Sequence, residues 1–395
     1  MFGVRELQEI IKELDETINS LSGLIRQVSS NQQTLGLLQT SRRAINIAKS
    51  LRRAHKSASS LYSAIFHAWR GTCHEGHETK LFLEHRIPES RKSVNASLDF
   101  PLIFSTPPTE KKRIWHEAVV KVLYDEEGGL DTENTGAPNM VTFTITRTDR
   151  PRIILVDNIC DAISPACHMD FVIQKSKIGL MMAGGSRPAT CTLSERRSLK
   201  ELFSIRATGQ RGATIPPKFR ILLALQLASN LLQLLQTYWL PNAWSHETVF
   251  FPVKTVARQG GNLDIDHERP FISTPFTQYT VQLQPQLKPE PRVVLLELGI
   301  LLLEIWHEET LETHFSLGKP PTEHFERLLL AEKWLYDPSS PPTGLYEKAA
   351  SHCIKGMVGS KFRHECWDDN NFWNAVCEDI IQPLYTAFKR WELSN

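Results

Sequence analysis

A histidine and a glutamate stand side by side as His246 and Glu247 in the segment WLPNAWSHETVF, flanked by the indoles of Trp239 and Trp244. Imidazole exchanges protons near neutral pH, and a carboxylate can take a proton itself. The pair therefore suits acid–base chemistry in a pocket walled by the tryptophans. The same indoles equally suit a structural role, anchoring the loop that carries them. Asp157, Asp161, Glu297 and Glu304 are acids embedded in apolar sequence. Such acids either receive a cation, a fork-shaped guanidinium above all, or pair with the chain's own basic groups and N–H donors. Asp157 and Asp161 are also candidates for proton transfer, and Glu297 and Glu304 for holding a substrate.

A second constellation is electrostatic. Residues 18–74 contain no Asp or Glu but hold Arg26, Arg42, Arg43, Lys49, Arg52, Arg53, Lys56 and Arg70. The whole chain has a net charge of +1, so the remainder is acidic. A basic surface beside an acidic body attracts polyanions. Arg42, Arg43, Lys49, Arg52, Arg53 and Lys56 can neutralise the phosphates of an RNA without reading its sequence. The same charges also fit an anionic membrane surface or a plain solvated helix face. Cys73, His74 and His77, with His85 further on, form a C-H-x-x-H cluster without a second ligand pair, so no metal site is expected. There is no glycine-rich phosphate loop and no G-x-S-x-G elbow, and no cofactor is expected.

These groups need elements to position them. Leu7, Ile11, Leu14, Ile18, Leu21 and Ile25 recur at helical spacing. A second helix, with Ile45, Leu51, Leu61, Ile65 and Trp69 as packing residues, completes an expected helical hairpin. Residues 75–205 read as a mixed region with strands at LFLEHRI, LDFPLIF, NMVTFTITR, PRIILVD and DFVIQ, and a helix at IWHEAVVKVLY. Helices dominate from Ser198 onward. FRILLALQLASNLLQLLQTYW and PEPRVVLLELGILLLEIWHEETLE are apolar on nearly every face and must be buried. FERLLLAEKWLYD and FWNAVCEDIIQPLYTAFKRWE follow, and Pro383 is expected to kink or end the last helix. The expected class is α+β, divided into a basic helical region (1–74), a β-rich region (75–205) and a helical region (206–395). The first residues lack the basic and apolar regions of a signal peptide, and no apolar run is long enough to span a bilayer. The seven cysteines are dispersed. Reduced thiols and a cytoplasmic location follow as expectations.

The order of these elements resembles a degenerate protein-kinase arrangement, a small β-rich lobe followed by a helical lobe. LALQLASNLLQLL followed by HETVFF is similar to the kinase helix and catalytic loop, and LLELGILLLEI to the buried helix beyond it. The kinase chemistry is missing. Ala243 stands where the catalytic Asp belongs, Thr248 replaces the metal-binding Asn, and RPFISTPF occupies the place of D-F-G. Phosphoryl transfer by the usual route is not expected. The stretches AWRGTCHEGH, LFLEHR, VDNICDAI, SLKELF, ALQLASNLLQL, TYWLPNAWSHETVFF, RPFIS and LELGILLLEI resemble, in this order, a fungal kinase-like family of mostly unknown function. That family includes the arginine-containing cyclodipeptide synthases. The resemblance implies an enzyme that condenses tRNA-delivered arginine with a second amino acid to a diketopiperazine. Arginine tRNA is then the partner, gripped by the basic residues, and a carboxylate receives the guanidinium. The alternative is a non-catalytic kinase-like scaffold or regulator in fungal signalling or cell death. Neither reading requires stable insertion into a membrane.

Overall fold

A computed structural model describes residues 41–69, 77–88, 97–105, 115–123, 152–163, 169–174, 177–182, 195–208, 214–254, 264–276, 290–342, 344–356 and 366–393. The expected helix over residues 7–25 and the strand NMVTFTITR lie outside these residues, as do Cys73 and His74. The fold is mixed α+β, as the pattern of short strands and long apolar helices requires.

Helix α1 (Arg42–Ala68) opens the described chain. Ser41 caps it through a hydrogen bond from the Ala44 N–H. Its inner face carries Ile47, Leu51, Ala54, Ala58, Leu61 and Ile65, all buried. Alanines at this spacing let it lie close against the body. Its outer face carries Arg42, Lys49, Arg53 and Lys56, seven, four and three residues apart. These side chains form one exposed stripe, and none makes an ion pair with another described residue. Arg43 is exposed but rests over the Tyr385 ring at 4.8 Å. Arg52 leaves the stripe, donating to the Asn370 carbonyl at 2.9 Å and the Asn374 side chain at 3.4 Å.

Ten strands form one sheet: β1 (His77–Phe82), β2 (Ser97–Ser105), β3 (Trp115–Leu123), β4 (Arg152–Leu155), β5 (Met169–Gln174), β6 (Lys177–Met182), β7 (Glu195–Ser198), β8 (Phe250–Lys254), β9 (Asp264–Ile265) and β10 (Phe271–Phe276). The order is β4-β6-β5-β3-β2-β1-β10-β8-β7, with β9 beside β8. Among the described strands only β3 and β5 run parallel; the other pairs are antiparallel. The segment IWHEAVVKVLY, expected to be a helix, is strand β3. Its His116, Ala118, Val120 and Val122 are buried at every second residue. The valines are β-branched and the segment gains a neighbour on each edge, so pairing overrides a short amphipathic pattern. Strands β6 and β7 have no counterpart among the strands expected from the sequence. Strands β8 to β10 come from the region read as helical, yet they extend the sheet across the boundary drawn at residue 205.

The helical body contains α2 (Ile159–Ala162), α3 (Leu199–Ala207), α4 (Pro217–Leu234), α5 (Pro291–His307), α6 (Leu311–His314), α7 (His324–Leu335), α8 (Gly344–Lys355), α9 (Asn370–Val376) and α10 (Gln382–Leu393). Helices α4 and α5 are the buried ones, as their all-round apolarity demands. A π-helical turn (Cys377–Ile381) precedes α10. It sits just before Pro383, which has no N–H for the regular ladder, so the proline adjusts the helix without ending it. Buried polar groups of α4 are matched to the chain after β1: Asn230 and Gln233 both donate to the Glu84 carbonyl at 3.0 Å.

Helix α5 ends on Glu308, at φ 58°, a left-handed position that favours glycine. A carboxylate holds it there. Glu308 Oε1 accepts from the Ile215 N–H at 2.5 Å, and Oε2 accepts from Arg220 at 2.6 Å, with Arg206 at 3.2 Å. Glu308→Gly would relieve about 1–2 kcal/mol of backbone strain. It would also break an ion pair whose carboxylate is buried and whose Arg220 guanidinium is half-buried, at about 3–5 kcal/mol. The second effect is larger. The substitution is expected to destabilise by about 2–3 kcal/mol, read as a lower denaturant midpoint; a midpoint at or above wild type would contradict the assignment.

Candidate functional site

The loop at residues 244–247, between α4 and β8, is fixed from three directions. Trp244 is buried and donates its indole N–H to the Leu227 carbonyl of α4 at 3.1 Å. Ser245 closes a turn, its Oγ accepting from the Glu247 N–H and its carbonyl from Thr248. Helix α3 is stitched to the loop, Lys200 N–H donating to the His246 carbonyl at 3.1 Å and Leu199 N–H to the Val249 carbonyl at 2.9 Å. The loop thus presents His246 towards α5 and Glu247 towards Lys200 of α3.

There His246 meets Glu304, with Nδ1 2.9 Å from Oε2. Glu304 is only 3% exposed, and its other oxygen accepts from the Leu311 N–H at 3.1 Å. A buried carboxylate without donors would be costly, so the first turn of α6 and the histidine both answer to it. Nδ1 must carry the hydrogen in this bond, which leaves Nε2 as the nitrogen available for proton transfer. Burial opposes charge on the ring, but the hydrogen bond and charge of Glu304, aided by Glu312, outweigh it and hold His246 above its ordinary value.

The pair opens into a cavity of about 400 Å³ between the loop, α5, α3, α7 and the chain around α6. Its lining includes Glu247, Glu297, Glu304 and Glu312, set against Lys200, Lys319 and Arg327. Glu247 is paired with Lys200 at 2.7 Å, and the lysine holds its carboxyl below the ordinary range. Glu297 grips Arg327 in a two-pronged fork, 2.7 and 2.5 Å. Burial works against the Arg327 cation, but Glu297 more than compensates. Glu312 is half-buried, and its carboxylate makes no hydrogen bond or ion pair with the described residues. One oriented imidazole and one unengaged carboxylate therefore share an acidic cavity. That combination can bind a cation and take a proton from an amine beside it.

The cavity gathers Trp244, His246, Glu247, Glu297 and Glu304 of the residues singled out in the sequence. Trp239 is elsewhere: it is buried, donates to the Ala58 carbonyl at 2.9 Å and meets Tyr62 edge-on, anchoring α1 to the body. Asp157 and Asp161 are exposed around α2 and do not line the cavity. His77 stacks on Trp69, and His85 accepts from the Ile87 N–H; no group of three metal-ligating side chains occurs among the described residues. Sequence reasoning missed Lys200, Glu312, Lys319 and Arg327. They belong to four stretches with no shared pattern, and nothing local distinguishes Glu312 from its exposed neighbours.

His246 is more readily protonated in the folded chain than in the unfolded one. Its proton is held more tightly in the folded chain, so the stabilisation from the His246–Glu304 pair is fully present below about pH 6.5, the ordinary imidazole value. It is lost as pH rises through the raised value. The stability gap between wild type and His246→Gln is therefore expected to be widest near pH 5.5 and to narrow by pH 9. Chemical denaturation across that range measures it, and a gap that widens with pH would refute the pairing.

No curated protein and no solved structure matches this chain. Among the described residues, no helix is long and apolar enough to cross a membrane. A domain of unknown function, DUF7580, matches residues 48–391, which include every lining residue of the cavity and most of α1. The chain belongs to the DUF7580 family.

Proposed function

We propose that this protein is a tRNA-dependent synthase of arginine-containing cyclic dipeptides, built on a kinase-like plan from which the phosphoryl-transfer groups are gone. The observation that carries the reading is the His246–Glu304 pair facing an unengaged Glu312 in an acidic cavity. In this reading Glu312 takes the guanidinium of the arginyl group. Glu297, weighed from the sequence for that role, already holds the guanidinium of Arg327 and serves to shape the wall. The exposed stripe of Arg42, Lys49, Arg53 and Lys56 supplies the electrostatic grip on tRNA.

The aminoacyl ester is already activated, so the reaction needs orientation and a base more than an energy source. The α-amine of one aminoacyl group attacks the ester carbonyl of the other. A C–N bond forms, the ester C–O bond breaks, and the nitrogen's proton passes to His246 Nε2. His246 returns that proton to the departing tRNA hydroxyl. A second attack, by the amine left on the dipeptide, closes the ring and frees the second tRNA. Glu304 keeps the imidazole in the required tautomer throughout, as an orienting carboxylate does in hydrolytic triads.

Purified protein given charged arginine tRNA and a second charged tRNA is expected to release an arginine-containing diketopiperazine, detected by mass, and RNase is expected to abolish it. His246→Ala should lower the rate by about 10²–10⁴-fold. The wild-type rate should climb with pH as His246 loses its proton. Glu312→Gln should raise the KM for arginyl-tRNA more than that for the second substrate. No cyclic product under these conditions would overturn the enzyme reading and leave the kinase-like scaffold, which requires binding without turnover.

A further inference from the structure

A second cavity, of about 200 Å³, lies where α1, the end of α4 and the start of α9 meet. Arg52, His55 and Lys56 of α1 line it, with Gln236, Asp368 and Trp373. Its polar groups are poorly served by the protein. Arg52 Nε and Gln236 Nε2 are both buried and have no hydrogen-bond partner. A buried donor left unmade is costly, and such groups recur where a ligand completes them.

The charge is likewise incomplete. Arg52 is partly buried over the Trp373 ring at 5.6 Å, and its terminal nitrogen is committed to neutral acceptors on Asn370 and Asn374. Burial presses on its charge, and the nearby Asp369 makes no ion pair with it. Lys56 stands exposed beside it, and Asp368 is the acid of the lining, so the formal charge there is +1 with His55 neutral. Gln236 has φ 62°, a left-handed backbone that a glutamine adopts only under strain. Strain of this kind persists where the surroundings require the side chain.

The geometry points to a phosphate-binding subsite. A phosphate group offers acceptor oxygens to the Arg52 guanidinium, the Gln236 side-chain amide and the Lys56 ammonium of this lining, and supplies the negative charge that Arg52 lacks. The cavity exceeds the size of one phosphate, leaving room for an attached sugar against Trp373. Lys56 belongs both to this lining and to the exposed stripe of α1, so a nucleic-acid backbone lying along the stripe delivers a phosphate to the cavity. That identity of the donor rests on the RNA reading above; the subsite itself does not.

Two probes separate the claims: inorganic phosphate followed by ³¹P NMR at fixed ionic strength, and a short single-stranded RNA followed by fluorescence anisotropy over a salt series. Arg52→Gln is expected to weaken phosphate binding at least tenfold, and Gln236→Gly several-fold. Glycine adopts the left-handed backbone freely, so Gln236→Gly should melt no lower than wild type, which removes misfolding as an explanation. In the RNA arm, Arg52→Gln should reduce the log–log salt slope by about 0.7. Phosphate affinity unchanged in both variants overturns the subsite. Variant-sensitive phosphate binding without any RNA binding upholds the subsite and sinks the RNA reading of α1 instead.

Discussion

Helix α5 is too apolar to lie anywhere but the core, yet it brings two carboxylates with it. Glu304 and Glu308 are 3% and 2% exposed. A charge so far from water must be matched by donors, or the helix cannot be buried. One acid fixes the loop of His246 and the first turn of α6; the other fixes the chain at Ile215 and the guanidinium of Arg220. The cavity wall is thus a consequence of satisfying α5. The imidazole is held in one orientation by the same bond that makes the burial of Glu304 tolerable.

Helix α1 joins this body through its apolar inner face and a hydrogen bond from Trp239 to the Ala58 carbonyl. Trp239 and Tyr62 clasp it against the loop that follows α4, while the α1 stripe stays in water. Among the described residues Arg52, off the stripe, is the α1 cation that hydrogen-bonds to the body, and its partners there are neutral. A helix held this way presents cations at fixed spacing without carboxylates of the described residues to pair them. The sheet contributes support more than chemistry: its β8 to β10 strands run from the His246 loop back to the edge of β1, tying the cavity to the β-rich half.

Much of this was legible along the chain. The burial of α4 and α5 follows from apolarity on every face, the basic stripe from the absence of acids across residues 18–74, and the His246 loop from its unusual tryptophans. The strand at residues 115–123 was not legible. Its alternation of Ala118, Val120 and Val122 is short enough to pass for a helix face, and only the neighbouring strands β2 and β5 decide between the two. Strands β8 to β10 are similarly defined by partners far away in sequence.

The sequence by itself determined which helices had to be buried and where the positive charge lies. These are local properties, fixed by residue type and spacing. Tertiary structure alone decided which carboxylates were occupied. Glu297 is closed by Arg327, thirty residues on, and Glu247 by Lys200, forty-seven residues back, while Glu312 is left open. Charge pairing falls off over a few ångströms of space and takes no account of separation along the chain, so no reading of neighbours in sequence could have assigned it.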